Sequence, residues 1–129
     1  MSGRIWIGLG SLLAAVGIFA GAVGEHVLKN AAPGNIRDFE IATRYLLYHA
    51  LSMAICGLFV SLRPGRLPHL AAAGFLVGIV LFCGGIYASL ASDVRGIQKI
   101  VPVGGTIWII SWIVLAIGAF NPPPLSDDR

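Results

Sequence analysis

Apolar residues run along this chain in four long segments separated by short polar stretches. The first, residues 5–24, and the third, residues 70–90, contain no charged side chain. About 20 residues at 1.5 Å per residue are enough to cross roughly 30 Å of hydrocarbon. The second segment is polar at its start, and the fourth is the shortest. This pattern predicts one domain, residues 1–129, with membrane-spanning helices at residues 5–24, 36–62, 68–90 and 102–120.

The connections between these segments contain helix breakers. Asn35 follows Pro33-Gly34 and is predicted to cap the second helix. Pro64 and Pro68 lie in a tight hairpin between the second and third helices. Residues 121–129, "NPPPLSDDR", are expected to form an extended polar tail.

Small residues recur every seven positions in all four predicted helices. Helices in lipid associate through close backbone approach, so such a repeat predicts packing seams in a left-handed bundle. Two pairs, Gly17-xxx-Gly21 and Gly74-xxx-Gly78, also form GxxxG motifs. The alternative is chance spacing in a chain with 17 glycines. The glycines predicted to pack between helices are Gly10, Gly17, Gly21, Gly24, Gly57, Gly74, Gly78, Gly85, Gly104 and Gly118.

The composition excludes a soluble domain. The chain is 57% hydrophobic and only 12% charged, whereas soluble domains carry about 25% charged residues. The formal charge of +3 comes from bases scattered among the loops, so the expected partner is the lipid bilayer and no nucleic acid is expected. Cys56 and Cys83 lie in apolar runs, which favours small core residues over a disulfide or a metal pair. No catalytic motif is found, so no enzyme activity and no cofactor are predicted.

A group of polar residues is expected at one membrane face, where the first connection joins the first two helices. Tyr45 and His49 are four residues apart, and so are Arg44 and Tyr48, which places two polar ridges at the start of the second helix. An ionisable residue in the membrane is a functional candidate. The alternative is a set of interfacial side chains with a histidine satisfied by its neighbours. The candidate polar cluster comprises Glu25, His26, Arg44, Tyr45, Tyr48 and His49.

Four stretches of the chain resemble a known family in order and spacing. They are "GAVGEHVL" (residues 21–28), "FEIATRYLLYHAL" (39–51), "GIVLFCGGIYASLA" (78–91) and "VPVGG" (101–105). They are similar to the signatures of the small membrane-protein family catalogued as domain of unknown function 423. That family includes YgdD-like inner-membrane proteins and is related to eukaryotic transmembrane protein 256. The resemblance implies an all-α integral membrane protein with four transmembrane helices in the bacterial inner membrane, and it implies no activity, substrate or cofactor.

The chain departs from the family pattern at four positions. Glu25 stands where a small residue is usual and Leu46 where a glutamine is usual. Cys83 and Gly85 stand where serines are usual. The last three departures remove hydrogen-bonding groups from the bundle, which weakens any polar pathway through it.

The expected function is association, as a scaffold, accessory subunit or assembly partner in a membrane complex or as a homo-oligomer. The first alternative is a proton or small-solute transporter that uses His49 and His26. The second is haem or metal binding through the same two histidines, because imidazole is a common ligand of both.

Overall fold

The computed structural model describes residues 2–92 and 96–121, and this part of the chain contains helices and no strand. All four helices are long and apolar enough to cross a membrane. The predicted all-α bundle of four membrane-spanning helices is therefore confirmed. The helices are α1 (Gly3–Val27), α2 (Pro33–Leu62), α3 (Arg66–Ala91) and α4 (Val101–Phe120).

The start of α2 differs from the sequence prediction. The helix begins at Pro33, with Ala32 in the N-cap position and no side-chain cap, so the prediction that Asn35 caps it is wrong. Proline fits the first turn because its missing N–H would have no partner inside the helix. The predicted polar tail lies outside the described residues beyond Asn121.

The helices pack in chain order, α1 along α2, α2 along α3, and α3 along α4. In the most apolar 18-residue stretch of each helix, 44% of the residues of α2 and 39% of those of α3 are buried, compared with 17% in α1 and 22% in α4. The largest fully buried side chains are Phe75, Met53, Cys56 and Cys83. The core therefore lies between α2 and α3, and both cysteines are free and buried in it, as predicted.

Glycines on α1 let it approach the backbone of α2. Gly3, Gly10, Gly17 and Gly24, spaced by seven, are all buried. A Cβ atom on Gly10 would lie 2.5 Å from the carbonyl oxygen of Ala50. Such a distance leaves no room for any side chain, so the two helices meet backbone to backbone.

The contacts along this seam also fix the register of the two helices. Gly24 meets Phe39, Gly17 meets Leu47, Gly10 meets Ala50, and Gly3 meets Gly57. Gly21 has more room, because a Cβ atom there would lie 3.7 Å from the Thr43 methyl carbon.

Small residues also line the contact of α3 with α4. Gly74 faces Ser111, and Gly78 faces the indole of Trp108. A Cβ atom on Gly104 would lie 2.7 Å from the backbone nitrogen of Phe82, and one on Gly118 would lie 3.1 Å from the Leu67 Cβ. Gly85 packs where the chain enters α4, on Val101. Most predicted seam glycines thus lie where two helices approach closely.

A short π-helical segment, Ile79–Cys83, interrupts α3. The N–H of Gly84 donates to the carbonyl of Ile79, five residues back. An α-helical hydrogen bond spans four residues, so the π-helical turn contains one extra residue, which rotates the second half of α3 relative to the first. Tyr87 lies on the second half of α3, and its hydroxyl group forms a 2.7 Å hydrogen bond with that of Thr43 on α2.

Candidate functional site

The six residues of the predicted polar cluster do not come together in the structure. Glu25 and Arg44 line a groove between α1 and α2. Tyr45 and His49 face away from this groove, towards α3 and α4. Successive helical residues point about 100° apart, so Arg44 and Tyr45 meet different neighbours. The cluster is therefore divided between two sides of α2.

His49 lies level with the central part of α1, deeper in the bundle than the membrane face at which the polar cluster was predicted. Its neighbours along α2, Leu47 and Ala50, pack on Gly17 and Gly10, which are in the central part of α1. His26 is one residue from the end of α1. From Gly17 to His26 there are nine residues, or about 14 Å along the helix at 1.5 Å per residue.

This separation decides the hypothesis of a shared ligand. Two imidazoles that bind one metal ion each place a nitrogen about 2 Å from it. His26 and His49 differ in depth by far more, so they cannot hold one ion or one haem iron together. Within the described residues, no group of three or more His, Cys, Asp or Glu side chains is placed to hold a metal.

His49 belongs to an aromatic cluster. Its members are Tyr45, His49, Phe75, Phe82, Trp108 and Trp112. The imidazole stacks on the indole of Trp108 with centroids 3.7 Å apart and planes 5° apart. Tyr45 stacks on the same indole at 5.7 Å. Aromatic pairs contribute about 0.5–1.5 kcal/mol beyond their burial. The cluster therefore stabilises the packing of α2 against α4, two helices that are not consecutive along the chain.

The hydrogen bond of His49 places a proton on Nδ1. Nδ1 lies 2.8 Å from the carbonyl oxygen of Tyr45. A carbonyl oxygen only accepts, so Nδ1 carries a proton and donates it to this oxygen. The side chain is only 5% exposed. His49 is thus an almost fully buried imidazole whose Nδ1–H is already hydrogen-bonded.

The sequence builds this cluster from residues four positions apart on two helices. Tyr45 and His49 form one pair and Trp108 and Trp112 the other. Gly78 leaves room for the indole of Trp108, whose Nε1 donates to the carbonyl of Phe75 at 3.1 Å. Sequence reasoning missed that these pairs meet. The signal was present as two polar-aromatic pairs with the same spacing, each near the middle of its helix.

The second feature is the α1–α2 groove, an open cavity of about 450 Å³. Its charged side chains are Glu25 and Lys29 from α1 and its following loop, and Glu40 and Arg44 from α2. Its apolar walls are formed by Gly21, Gly24, Leu28, Ile36, Phe39 and Leu47, beside Thr43. The groove therefore carries two charges of each sign next to apolar surface.

The two remaining predicted residues are exposed. His26 has its Nδ1 3.1 Å from the carbonyl oxygen of Ala22, on its own helix. Tyr48 is 55% exposed and meets Tyr45 edge-on with ring centroids 6.0 Å apart. Neither residue lines the groove, and Tyr48 borders the aromatic cluster at its outer edge.

The matches to known proteins identify the family. A family model described as "Protein of unknown function (DUF423)" matches residues 20–105, two thirds of the chain. The chain belongs to the DUF423 family. The predicted resemblance is confirmed, and no solved structure matches the chain.

Relatives of this DUF423 protein are similar over nearly their whole length. The UPF0382 membrane protein SSP2132 of Staphylococcus saprophyticus is 32% identical over 119 residues, which cover 92% of this chain and 98% of the relative. YwdK of Bacillus subtilis is 30% identical, with 90% and 96% covered. A UPF0382 membrane protein of Haemophilus influenzae is 32% identical, with 90% of each chain covered. With its four apolar helices, the protein is a multi-pass protein of the bacterial inner membrane, as predicted.

The DUF423 match contains the whole α1–α2 groove but only part of the aromatic cluster. It ends at Gly105, before Trp108 and Trp112. One departure from the family pattern keeps a hydrogen bond, because the thiol of Cys83 donates to the carbonyl of Ala42 at 3.2 Å. The expected loss of a polar group at this position is therefore partial.

Proposed function

We propose that this protein acts by association within the membrane, as a scaffold, accessory subunit or assembly partner that pairs with a second copy of itself. The observation that carries this proposal is a second stripe of small residues on α1. Its members are Gly8, Ser11, Ala15 and Ala22, and all four are exposed. No atom lies within 4 Å of the position that a Cβ of Gly8 would occupy.

Both stripes of α1 consist of small residues, glycines in the inner one and Gly8, Ser11, Ala15 and Ala22 in the outer one, and only the inner stripe is covered by a helix. The inner stripe, which contains Gly10 and Gly17, is buried against α2. Gly8, Ala15 and Ala22 repeat with the same period of seven, so the outer stripe also stays in line along the helix. Small residues favour helix association in lipid because they let two backbones approach. The outer stripe would therefore allow a second helix to approach α1 closely, as the inner stripe allows α2 to do.

A second copy fits this surface by symmetry. We infer that the copies cross the membrane in the same direction, so that two α1 helices meet in parallel around a two-fold axis along the membrane normal. Such an interface uses the same patch on both partners and closes at the dimer. Further membrane subunits would then bind to the dimer.

The alternatives receive less support from the geometry. Haem or metal binding by His26 and His49 requires both imidazoles at one metal ion, and they lie at different depths. Transport through His49 would need a path to a side chain that is only 5% exposed and packed among aromatic rings. No similar conflict affects association, which depends on the surface of α1.

The test is the oligomeric state of matched glycine variants in lipid nanodiscs and mild detergent. We expect a dimer for the natural chain and a monomer for Gly8→Leu, because leucine separates the two backbones. Gly84→Leu is the control, since Gly84 also has open space around it but lies on α3. A natural chain that is monomeric at every concentration, or a Gly8→Leu variant that dimerises as well as the control, would overturn the proposal.

Disulfide crosslinking in native membranes gives a second measurement. We expect Ala15→Cys to form a covalent dimer on oxidation, because Ala15 would lie near the two-fold axis. Ile109→Cys, on the exposed face of α4, is expected to remain monomeric. Equal crosslinking at both positions would indicate random collision. Affinity purification from the same membranes then identifies any further subunit.

A further inference from the structure

We propose that the α1–α2 groove binds one phospholipid whose headgroup is zwitterionic, with a phosphate ester and a primary ammonium group, as in phosphatidylethanolamine. The groove is open, has a volume of about 450 Å³ and lies where α1 ends and α2 begins. Small-molecule sites occupy about 300–1,000 Å³. The groove is thus large enough for a headgroup and the first part of an acyl chain.

The charges of the groove favour a ligand that carries both signs. Lys29 and Arg44 supply two cations, and the guanidinium group binds phosphate oxygens through two parallel hydrogen bonds. Glu25 and Glu40 supply two carboxylates, which accept hydrogen bonds from an ammonium group. A zwitterion satisfies all four groups. A lipid with only a negative charge would leave the two carboxylates facing it.

The depth of these charges matches the border between headgroups and hydrocarbon. Gly24 meets Phe39, so Glu25 and Glu40 are near the same level at the end of the apolar run of α1. Arg44 is four residues farther along α2, about 6 Å deeper at 1.5 Å per residue. Its long apolar stem lets the guanidinium reach up towards the phosphate level. An arginine below the carboxylates is well placed to hold a phosphate at the border.

The lower part of the groove offers apolar surface to an acyl chain. Leu47 lines it below Arg44, Gly21 lies level with Thr43 beside Arg44, and the ring of Phe39 covers Gly24 higher on the wall. The hydroxyl of Thr43 is already hydrogen-bonded to Tyr87 at 2.7 Å. The charged side chains therefore lie at the level of Arg44 and above it, where Leu28 and Ile36 add apolar surface, and below Arg44 the groove is lined by Leu47 without a charge. A phospholipid likewise carries its charged groups above its acyl chains.

The experiment measures which lipids stay bound to the full-length protein. The protein is placed in nanodiscs with equal amounts of phosphatidylethanolamine, phosphatidylcholine and phosphatidylglycerol, and the retained lipid is identified by native mass spectrometry. We expect phosphatidylethanolamine to be enriched about tenfold over phosphatidylcholine, because choline has no N–H to donate to the carboxylates. Retained lipid that matches the bulk composition would overturn the proposal.

Neutral variants with matched controls on the same helix test the assignment of residues. Glu40→Gln should bring the ratio of phosphatidylethanolamine to phosphatidylcholine close to one, whereas Asp38→Asn, outside the groove, should leave it unchanged. Arg44→Gln should reduce the retention of all three lipids, and Arg37→Gln is its control. Equal effects of a variant and its control would overturn the proposal. Circular dichroism verifies that each variant keeps its helices.

A last comparison separates a lipid from a soluble ligand of the same chemistry. Free phosphoethanolamine is added to nanodiscs that retain the bound lipid. We expect no displacement at millimolar concentration, because the acyl chain contributes contacts that the free headgroup lacks. Displacement by the free headgroup would show that the acyl chain is not recognised and would overturn the assignment to a phospholipid.

Discussion

Substitution of glycine by alanine should have opposite effects on stability at Gly10 and at Gly21, because α2 lies closer to α1 at Gly10. In Gly10→Ala, the new Cβ would lie 2.5 Å from the Ala50 carbonyl oxygen and 2.9 Å from the Ala54 nitrogen. Both are backbone atoms, which cannot rotate away. Ordinary contact begins at 3.4 Å, so the helices must separate by about 0.9 Å at this level, a typical overpacking strain.

The magnitude follows from the contacts that this separation weakens. A gap of 0.5–1 Å removes about a quarter to a half of the dispersion energy of each affected atom pair. Together with the strain, we expect Gly10→Ala to lower the free energy of unfolding by about 2 kcal/mol. In Gly21→Ala the Cβ would lie 3.7 Å from Thr43. That variant should be unchanged or more stable by up to about 1 kcal/mol, because alanine loses less backbone entropy than glycine in a helix.

The assay is unfolding in mixed micelles with increasing SDS, followed by circular dichroism and tryptophan fluorescence. Both variants remove one glycine from the same helix, so helix propensity alone predicts the same effect for both. A Gly10→Ala variant as stable as Gly21→Ala would show that α1 and α2 do not approach each other at Gly10 as described.

Two further predictions concern the contacts of α2 with α3 and α4. His49→Phe keeps a ring on Trp108 and should lose about 1 kcal/mol for the missing hydrogen bond, whereas His49→Ala should lose about 3 kcal/mol in the same SDS titration; equal losses would contradict a role for stacking. For the bond between Thr43 and Tyr87, a double-mutant cycle with Thr43→Val and Tyr87→Phe should give a coupling energy of about 0.6–1 kcal/mol. Strictly additive losses would show that the two hydroxyl groups do not interact.

The four helices could be predicted because each depends on a local property of the chain. An uncharged apolar run such as residues 5–24 is long enough to span the bilayer whatever surrounds it. The spacing of Gly10, Gly17 and Gly24 likewise places them on one face of α1, and the structure buries all three. Both features follow from the length and the period of a helix.

The candidate site could not be predicted because it depends on how helices are aligned with each other. The depth of His49 is set by the contacts of Leu47 with Gly17 and of Ala50 with Gly10, which no pattern within α2 contains. The stacking of His49 on Trp108 joins residues 59 positions apart in sequence. The start of α2 failed for a different reason, since Pro33 is compatible both with a helix break and with a first turn.

The π-helical segment of α3 affects one of two requirements on a membrane helix without affecting the other. The helix must be apolar and long enough to enter the bilayer, and its side chains must point towards the correct neighbours. A chain lacking one residue between Ile79 and Cys83 would stay apolar and long enough to enter the bilayer. Without the five-residue turn, however, everything after it would rotate by about 100°. Tyr87 would then point away from Thr43, and Gly85 away from Val101. Such a deletion would leave insertion into the membrane intact and prevent the bundle from closing, so the length of this segment is under a constraint that hydropathy does not reveal.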